Sequence, residues 1–337
     1  MAANGETLPL ALTMGEPGGI SAEITIKAWR ALHKNGPPFF IIDDPERYDA
    51  DEIPATEINT PEDAAHVCQN ALPIFPISLK EPIKTGVADS RNASTVIDSI
   101  KNAVDFTVSG RASAIVTNPI QKSALLAAGF SFPGHTEFLA DLTSGVAMPK
   151  NRIRGPVMML AGPALRTVPV TVHQSLNNAI DSLSIEQIIR VATVTAEALK
   201  SEFGIEYPRL AVAGVNPHAG EAGAFGDEDE KIVKPAVEAL QASSINATGP
   251  LPADTMFHDE ARDRYDAAIC MYHDQALIPV KTLDFHNTVN VTLGLPVVRT
   301  SPDHGAALDI AGAGKARPDS LIAAINLASN LAAKRID

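Results

Sequence analysis

Short apolar runs alternate with amphipathic segments along most of this 337-residue chain. The runs lack the regular exchange of apolar and polar residues that a half-exposed strand shows, which predicts strands buried on both faces. They include Leu8–Met14, Phe39–Ile42, Ala114–Thr117 and Thr288–Arg299. Because the amphipathic segments between such runs predict helices, the chain is expected to fold as a mostly parallel α/β protein.

Two of the predicted helices carry boundary signals. Ile185–Phe203 repeats apolar residues at helical spacing, with Ser184 as the N-cap and Gly204 as the stop. Pro119 suits the first turn of another helix, which is expected to end at Gly129. Such signals fix where a helix begins and ends more firmly than hydrophobic periodicity alone.

The length of the chain predicts two domains, because 337 residues exceed what one hydrophobic core usually supports. The segment Gly145–Pro156 is the best candidate for a crossing between them. Cys68 and Cys270 are far apart in apolar surroundings, which predicts buried thiols in a cytoplasmic protein. No basic leader precedes the first apolar run, and no run approaches the roughly 20 residues that span a bilayer.

The formal net charge of -13 argues against nucleic acid and anionic membranes as partners. No run of lysines and arginines overrides it locally. An anionic substrate would therefore have to be bound by a few well-placed cations.

Three predicted strands each run into a histidine, namely His173, His218 and His273. Groups at the carboxyl ends of parallel strands gather at one edge of an open sheet, where ligands bind. Three imidazoles there suit a divalent metal with a coordination position left open for substrate. Taken singly, each histidine is more often a hydrogen-bonded structural residue, so the metal hypothesis depends on their shared context.

Carboxylates and a lysine accompany this pattern. Asp274 follows His273 directly and is a candidate to orient that ligand or to act as a general base, with a helix cap as the alternative. Asp254 is a similar case, and Lys281 follows an apolar turn after Asp274.

Three glycine-containing segments are further candidates. The glycine-rich loop Gly214–Gly226 lets backbone approach a ligand, although it also suits a long surface loop. Gly134-His-Thr-Glu137 opens a predicted helix whose free N–H groups suit a phosphate or carboxylate, unless Thr136 is simply an N-cap. The small residues of Ser301–Lys315 are compatible with an adenosine or a pyrophosphate, whereas Rossmann and P-loop signatures are missing from the sequence.

Taken together, five motifs resemble one known family. They are Met14-Gly-Glu-Pro-Gly-Gly-Ile20, Gly134-His-Thr-Glu-Phe-Leu139, Asn216-Pro-His-Ala-Gly-Glu221, Met271-Tyr-His-Asp-Gln275 and Ser301-Pro-Asp-His-Gly305. In their order and in their extent, from residue 10 to about 316, these motifs resemble those of the PdxA family of 4-hydroxythreonine-4-phosphate dehydrogenases. Two departures, at Gly18-Gly-Ile-Ser21 and Gln174-Ser-Leu176, leave room for a related substrate.

The resemblance implies a two-domain α/β fold with mostly parallel sheets, like that of isocitrate and isopropylmalate dehydrogenases. Residues 1–137 with 300–337 would form the cofactor-side domain. Residues 138–299 would form a second domain with the dimer interface and the metal histidines. A homodimer with active sites completed by the partner subunit is expected.

The resemblance also implies roles for individual residues. It assigns one divalent metal per subunit, Zn, Mg or Co, to His173, His218 and His273. It assigns substrate contacts to His135, Thr136, Lys281, Asn290 and Arg299. It gives a supporting role to Asp254 and Asp274, which stand with Lys281 as the catalytic candidates. The similarity of His304-Gly-Ala-Ala-Leu-Asp-Ile-Ala-Gly312 to a dehydrogenase NAD-binding loop implies NAD(P) contacts at His304, Gly305, Asp309, Ala311 and Gly312.

The expected reaction is metal-assisted oxidation of the C3 hydroxyl of 4-phosphohydroxythreonine, with hydride transfer to NAD(P)+ and decarboxylation to 3-amino-2-oxopropyl phosphate. The alternative within the same fold is a dehydrogenase of threonate or erythronate 4-phosphate. Phosphate acyltransferases, which need no NAD, and metallohydrolases, which have no use for the His304–Gly312 loop, are weaker alternatives.

Overall fold

The computed structural model describes residues 8–48 and 53–335. Residues 1–7 lie outside these ranges. The prediction of no basic leader depends partly on them. The chain divides into two compact units, residues 1–147 with 295–333 and residues 148–294 with 334–337. No helix in the described ranges is both long and apolar enough to cross a membrane.

The strands of the described ranges are short and mostly buried. They are β1 (Leu10–Thr13), β2 (Phe39–Asp43), β3 (Ala55–Glu57), β4 (Leu72–Pro76), β5 (Ile115–Val116), β6 (Val157–Ala161), β7 (Arg166–Pro169), β8 (Arg209–Ala213), β9 (Asn246–Leu251), β10 (Ala267–Cys270), β11 (Val289–Leu293) and β12 (Arg299–Pro302).

The α-helices lie between these strands. They are α1 (Ser21–Leu32), α2 (Ala64–Val67), α3 (Ala93–Val108), α4 (Lys122–Ala127), α5 (His135–Leu142), α6 (Leu176–Ser182), α7 (Ile185–Ser201), α8 (Lys234–Ala242), α9 (Asp259–Arg262), α10 (His273–Leu283) and α11 (Asp319–Lys334).

The first unit contains a parallel arrangement in the order β3-β4-β2-β1-β5-β12. All residues of β1 and β2 are buried, as expected for strands covered on both faces. The second unit has the order β11-β6-β7-β10-β8-β9, in which β6 is antiparallel to β11 and to β7 and the remaining pairs are parallel. The prediction of a mostly parallel α/β protein is therefore confirmed.

The strongest helix prediction is confirmed at its amino terminus. The Ser184 hydroxyl accepts a hydrogen bond from the Gln187 N–H at 3.2 Å, and α7 begins at the next residue, Ile185. The helix ends at Ser201, and Gly204 follows with a left-handed φ of 73°. The predicted burial of the two cysteines is confirmed as well, since Cys68 and Cys270 are buried free thiols.

Two element predictions are wrong. Only Val289–Leu293 of the predicted strand Thr288–Arg299 forms a strand, β11, which ends before Gly294, where φ is 72°, and β12 begins at Arg299. A side chain at Gly294 would place its Cβ 2.1 Å from the Gly155 carbonyl oxygen, so this turn requires glycine. The helix predicted from Pro119 begins only at Lys122, because Gln121 is extended, and the Pro119 carbonyl accepts a hydrogen bond from Glu16 N instead.

Candidate functional site

The first unit presents a cationic site at the start of helix α5. Gly134 occupies the N-cap position in an extended conformation and has no side chain with which to cap the helix. Within residues 8–48 and 53–335, no group accepts a hydrogen bond from the N–H groups of His135, Thr136 or Glu137. These donors and the positive end of the helix dipole suit an anionic ligand.

Arg299 provides the permanent charge of this site. It begins β12, its residue is only 4% exposed, and its Nη2 atom donates to the Thr117 hydroxyl at 2.6 Å. Burial lowers the pKa of Arg299 to about 10, and the Glu137 carboxylate opposes that shift. An arginine buried at this cost is a strong candidate to bind an anion.

His135 lies beside that guanidinium. Its Nε2 atom is buried and makes no hydrogen bond within the described part of the chain. Burial, followed by the charges of Arg299 and Lys122, holds the pKa of His135 well below its usual 6.5. The imidazole is therefore neutral near pH 7 and still has a hydrogen-bonding atom available for a ligand.

The depressed pKa of His135 predicts a pH dependence of stability. Below its usual pKa of 6.5, the unfolded chain binds a proton at His135 that the folded protein does not. Stability contributed at this residue is therefore fully present above pH 6.5 and is lost as the pH falls. We expect the melting temperature of wild type to fall more steeply below that pH than that of His135→Asn. Parallel curves of melting temperature against pH for the two proteins would contradict this. The control is His66→Asn, which replaces an exposed histidine.

The second unit brings two of the three predicted metal histidines together. The ring centroids of His173 and His273 are 6.0 Å apart. Both histidines line a cavity of about 540 Å³, together with Gln174, Tyr272 and Asp274. His273 Nδ1 lies 2.7 Å from Asp274 Oδ1, an arrangement that orients the ring and leaves Nε2 as the free ring nitrogen.

The histidines lie beyond the strands rather than at their last residues. β7 ends at Pro169, four residues before His173, and β10 ends at Cys270, three residues before His273. His273 is the first residue of α10. The approach of the two rings therefore depends on the loops that follow the strands.

Gln275, which the sequence analysis did not single out, fixes one of these loops. Its side-chain oxygen accepts from Met271 N at 2.6 Å, and its side-chain nitrogen donates to the Gly214 carbonyl at 2.7 Å. The side chain thereby links the turns after β10 and β8. Its place in the Met271-Tyr-His-Asp-Gln275 motif was the only available signal.

His218 is not brought to the other two histidines. It lines a separate cavity of about 470 Å³ with Glu221 and Glu230, and its ring lies 5.8 Å from that of Phe225. Its backbone has a left-handed φ of 55°, and the next four residues are left-handed as well. In residues 8–48 and 53–335, no three histidine, cysteine or carboxylate side chains are close enough to hold one metal ion.

Asp229, also missed from the sequence, holds the glycine-rich loop in this conformation. It is 1% exposed, and its carboxylate accepts from Val215 N at 2.7 Å and from Asn216 N at 3.1 Å. A Cβ at Gly214 would lie 2.8 Å from Asp229 Oδ1. Glycine is therefore needed there for the carboxylate to approach the backbone.

The remaining predicted residues of the second unit, Asp254, Lys281 and Asn290, line neither of the two cavities that the histidines line. Asp254 is exposed in the short turn Ala253–Thr255. Lys281 is half-buried, with Nζ 5.5 Å from the centroid of the Phe285 ring. Asn290 lies on β11, and its Oδ1 atom is buried without a hydrogen-bond partner among the described residues.

The predicted cofactor loop, His304–Gly312, packs on the loop that follows β1. Ile20 N donates to the Ala306 carbonyl at 3.1 Å. Gly312 has a φ of 74°, and a Cβ there would lie 2.8 Å from Thr85 Cγ2. The loop after β1, to which the sequence analysis assigned no chemistry, therefore supports this segment.

The individual residues of that segment differ in exposure. His304 is half-buried, with Nδ1 3.1 Å from the Gly305 carbonyl oxygen, and Ala311 is also half-buried. Gly305, Asp309 and Gly312 are exposed. A Cβ at Gly305 would meet no atom within 4 Å, so backbone there is open to a ligand.

Comparison with known proteins decides the family. Residues 39–328 match the family model described as pyridoxal phosphate biosynthetic protein PdxA. The chain belongs to the PdxA family. The 4-hydroxythreonine-4-phosphate dehydrogenase of Caulobacter vibrioides is 53% identical over 329 residues, covering 97% of this chain and 98% of that protein.

Two solved structures extend the comparison. The 4-hydroxythreonine-4-phosphate dehydrogenase of Klebsiella pneumoniae matches with a TM-score of 0.85 and 35% identity, over 98% of this chain and 99% of that one. A terephthalate 1,2-cis-dihydrodiol dehydrogenase of Burkholderia xenovorans matches with a TM-score of 0.65 and 27% identity, over 96% and 98%. The predicted PdxA membership and α/β fold class are confirmed, and all three relatives are named as dehydrogenases, which are oxidoreductases.

Proposed function

We propose that this PdxA protein oxidises 4-phosphohydroxythreonine with NAD(P)+ and that the product decarboxylates to 3-amino-2-oxopropyl phosphate. The observation that best supports a phosphorylated substrate is the anion site of the first unit. There, a buried arginine and uncapped helix N–H groups lie together in a protein of net charge -13. A phosphate monoester supplies the two negative charges and the acceptor oxygens that such a site lacks.

In this proposal, the phosphate accepts hydrogen bonds from Arg299, from the His135 and Thr136 side chains and from the N–H groups at the start of α5. The neutral state of His135 lets Nε2 donate or accept according to the tautomer. Asn290 and Lys281 are proposed as further substrate contacts. Asn290 suits this role because its buried Oδ1 lacks a partner among the described residues.

A divalent metal, Zn, Mg or Co, remains part of the proposal with His173, His273 and His218 as ligands. The donor chemistry of the cavity shared by the first two fits such an ion, and when bound the ion would supply a Lewis acid beside the substrate hydroxyl. His218 does not fit with them in the conformation described, since it lines another cavity. No step of the reaction is therefore assigned to the metal.

The proton steps are proposed to involve Asp274, Asp254 or Lys281. The 2.7 Å contact of Asp274 with His273 supports an orienting role, because a carboxylate on Nδ1 fixes the tautomer and the direction of Nε2. Lys281 or a bound water would then accept the hydroxyl proton. The open backbone at Gly305 supports NAD(P) binding along His304–Gly312. We further propose a cytoplasmic homodimer with shared active sites.

The test is NAD(P)H formation, followed by absorbance, from 4-phosphohydroxythreonine with NAD+ and NADP+ in separate reactions. Parallel reactions contain chelator or added Zn2+, Mg2+ or Co2+. We expect turnover that the chelator removes and one of the ions restores. Turnover with threonate or erythronate 4-phosphate but not with 4-phosphohydroxythreonine would contradict the proposed substrate and favour the related activity.

A further inference from the structure

Lys122 reaches the anion site from a different helix. It is the first residue of α4, whereas the site lies at the start of α5. A Cβ built on Gly134 would lie 3.4 Å from Lys122 Cε and 3.6 Å from Lys122 Nζ. The ammonium group therefore lies close to the N-cap residue of α5.

The charge of Lys122 acts on the same atoms as that of Arg299. Both cations lower the pKa of His135. The carboxylate that faces them is Glu137, whose Oε2 atom lies 3.7 Å from the same Cβ position over Gly134. Among the described residues, Glu137 is the carboxylate that acts on Arg299 and lies near Lys122, so one negative charge faces two positive charges in this cluster.

The position of Lys122 is hard to explain by stability. A cation at a helix amino terminus opposes the helix dipole and costs roughly 0.3–1 kcal/mol. Lys122 is exposed, and within the described ranges it makes no hydrogen bond or ion pair that would offset this cost. A lysine that does not stabilise its own helix and reaches the edge of an anion site is better explained by ligand binding.

We propose that Lys122 is a phosphate-binding residue, whose ammonium group contacts the phosphate oxygens of the substrate at the amino terminus of α5. The chemical class of ligand is a phosphate monoester. This proposal rests on the proposed function, because it assumes that the anion held at α5 is the substrate phosphate rather than a phosphate of NAD(P).

The test compares wild type with Lys122→Gln, Lys122→Arg and the control Lys101→Gln, which changes an exposed lysine on α3. We expect Lys122→Gln to raise the KM for 4-phosphohydroxythreonine by about tenfold, at the low end for a charge-assisted bond because the lysine is exposed. Lys122→Arg should recover most of that loss. The KM for NAD(P)+ should not change, and a shift there instead would overturn the assignment to the substrate phosphate.

Two measurements do not depend on turnover. Inorganic phosphate binding, measured by calorimetry, should weaken about tenfold in Lys122→Gln. The pKa of His135, followed by NMR, should rise in the same variant because one neighbouring cation is removed. Equal phosphate affinity in wild type and Lys122→Gln, or no phosphate binding by wild type, would overturn the proposal. Phosphate binding that depends on Lys122 without any turnover would retain it and reject the proposed function alone.

Discussion

Replacing His273 by alanine will lower kcat by at least about a thousandfold, the effect expected when a ligand or its orientation is lost from a metal-assisted site. His273 lies 6.0 Å from His173 between ring centroids and carries the Asp274 carboxylate on its Nδ1 atom. The change removes one imidazole from a cavity that remains open, so the fold should be unaffected. Steady-state kinetics and metal content after dialysis measure the effect.

The control for this prediction is His258→Ala, which removes an exposed histidine from the same unit. Its activity and bound metal should equal those of wild type. Full activity in His273→Ala would rule out His273 as a residue of the reaction. If His173→Ala loses activity and His218→Ala keeps it, the metal site consists of the pair and not of the three histidines.

Replacing Arg299 by methionine will reduce kcat/KM for 4-phosphohydroxythreonine by roughly a hundredfold, equivalent to about 3 kcal/mol of charge-assisted bonding. Burial lowers the pKa of Arg299 to about 10, which means that the folded protein disfavours the charge in the absence of a ligand. The melting temperature of the unliganded variant should therefore not fall, and an increase is expected. Activity and stability thus move in opposite directions.

The matched variant is Arg299→Lys, which keeps the charge but loses the planar donor group that reaches the Thr117 hydroxyl. It should recover only a small part of the activity, because a lysine cannot reproduce the fork of an arginine. An unchanged KM in Arg299→Met would show that this arginine does not contact the phosphate. A large fall in melting temperature would identify it as a structural residue instead.

The sequence predicted the fold class because the information lies in periodicity and in helix caps, as with Ser184 at the start of α7. It predicted one strand over Thr288–Arg299 because the apolar run continues past the end of β11, through Leu295, Val297 and Val298. The signal that β11 ends, Gly294, is a single residue whose necessity depends on a distant carbonyl at Gly155. Contacts of this kind are fixed by tertiary packing and have no local pattern.

The same limit applies to the site. The strand-end argument grouped His173, His218 and His273, but loops of two to four residues separate them from β7, β8 and β10. Where a side chain goes after such a loop depends on backbone conformation, and the left-handed run that begins at His218 does not follow from a strand pattern. Lys122 was missed because it belongs to a separate helix, and only the fold brings it to Gly134.

The cation cluster at α5 lies in a protein whose net charge is -13, and this contrast has a kinetic consequence. A dianion approaching from a distance is repelled by the whole molecule, and only within about one Debye length, about 8 Å at physiological salt, do nearby cations dominate. Added salt therefore speeds the encounter while it weakens the bound state. The association and dissociation rates of a phosphorylated ligand should both rise with ionic strength. Their ratio determines how strongly the occupancy of this site depends on the salt concentration in the cell.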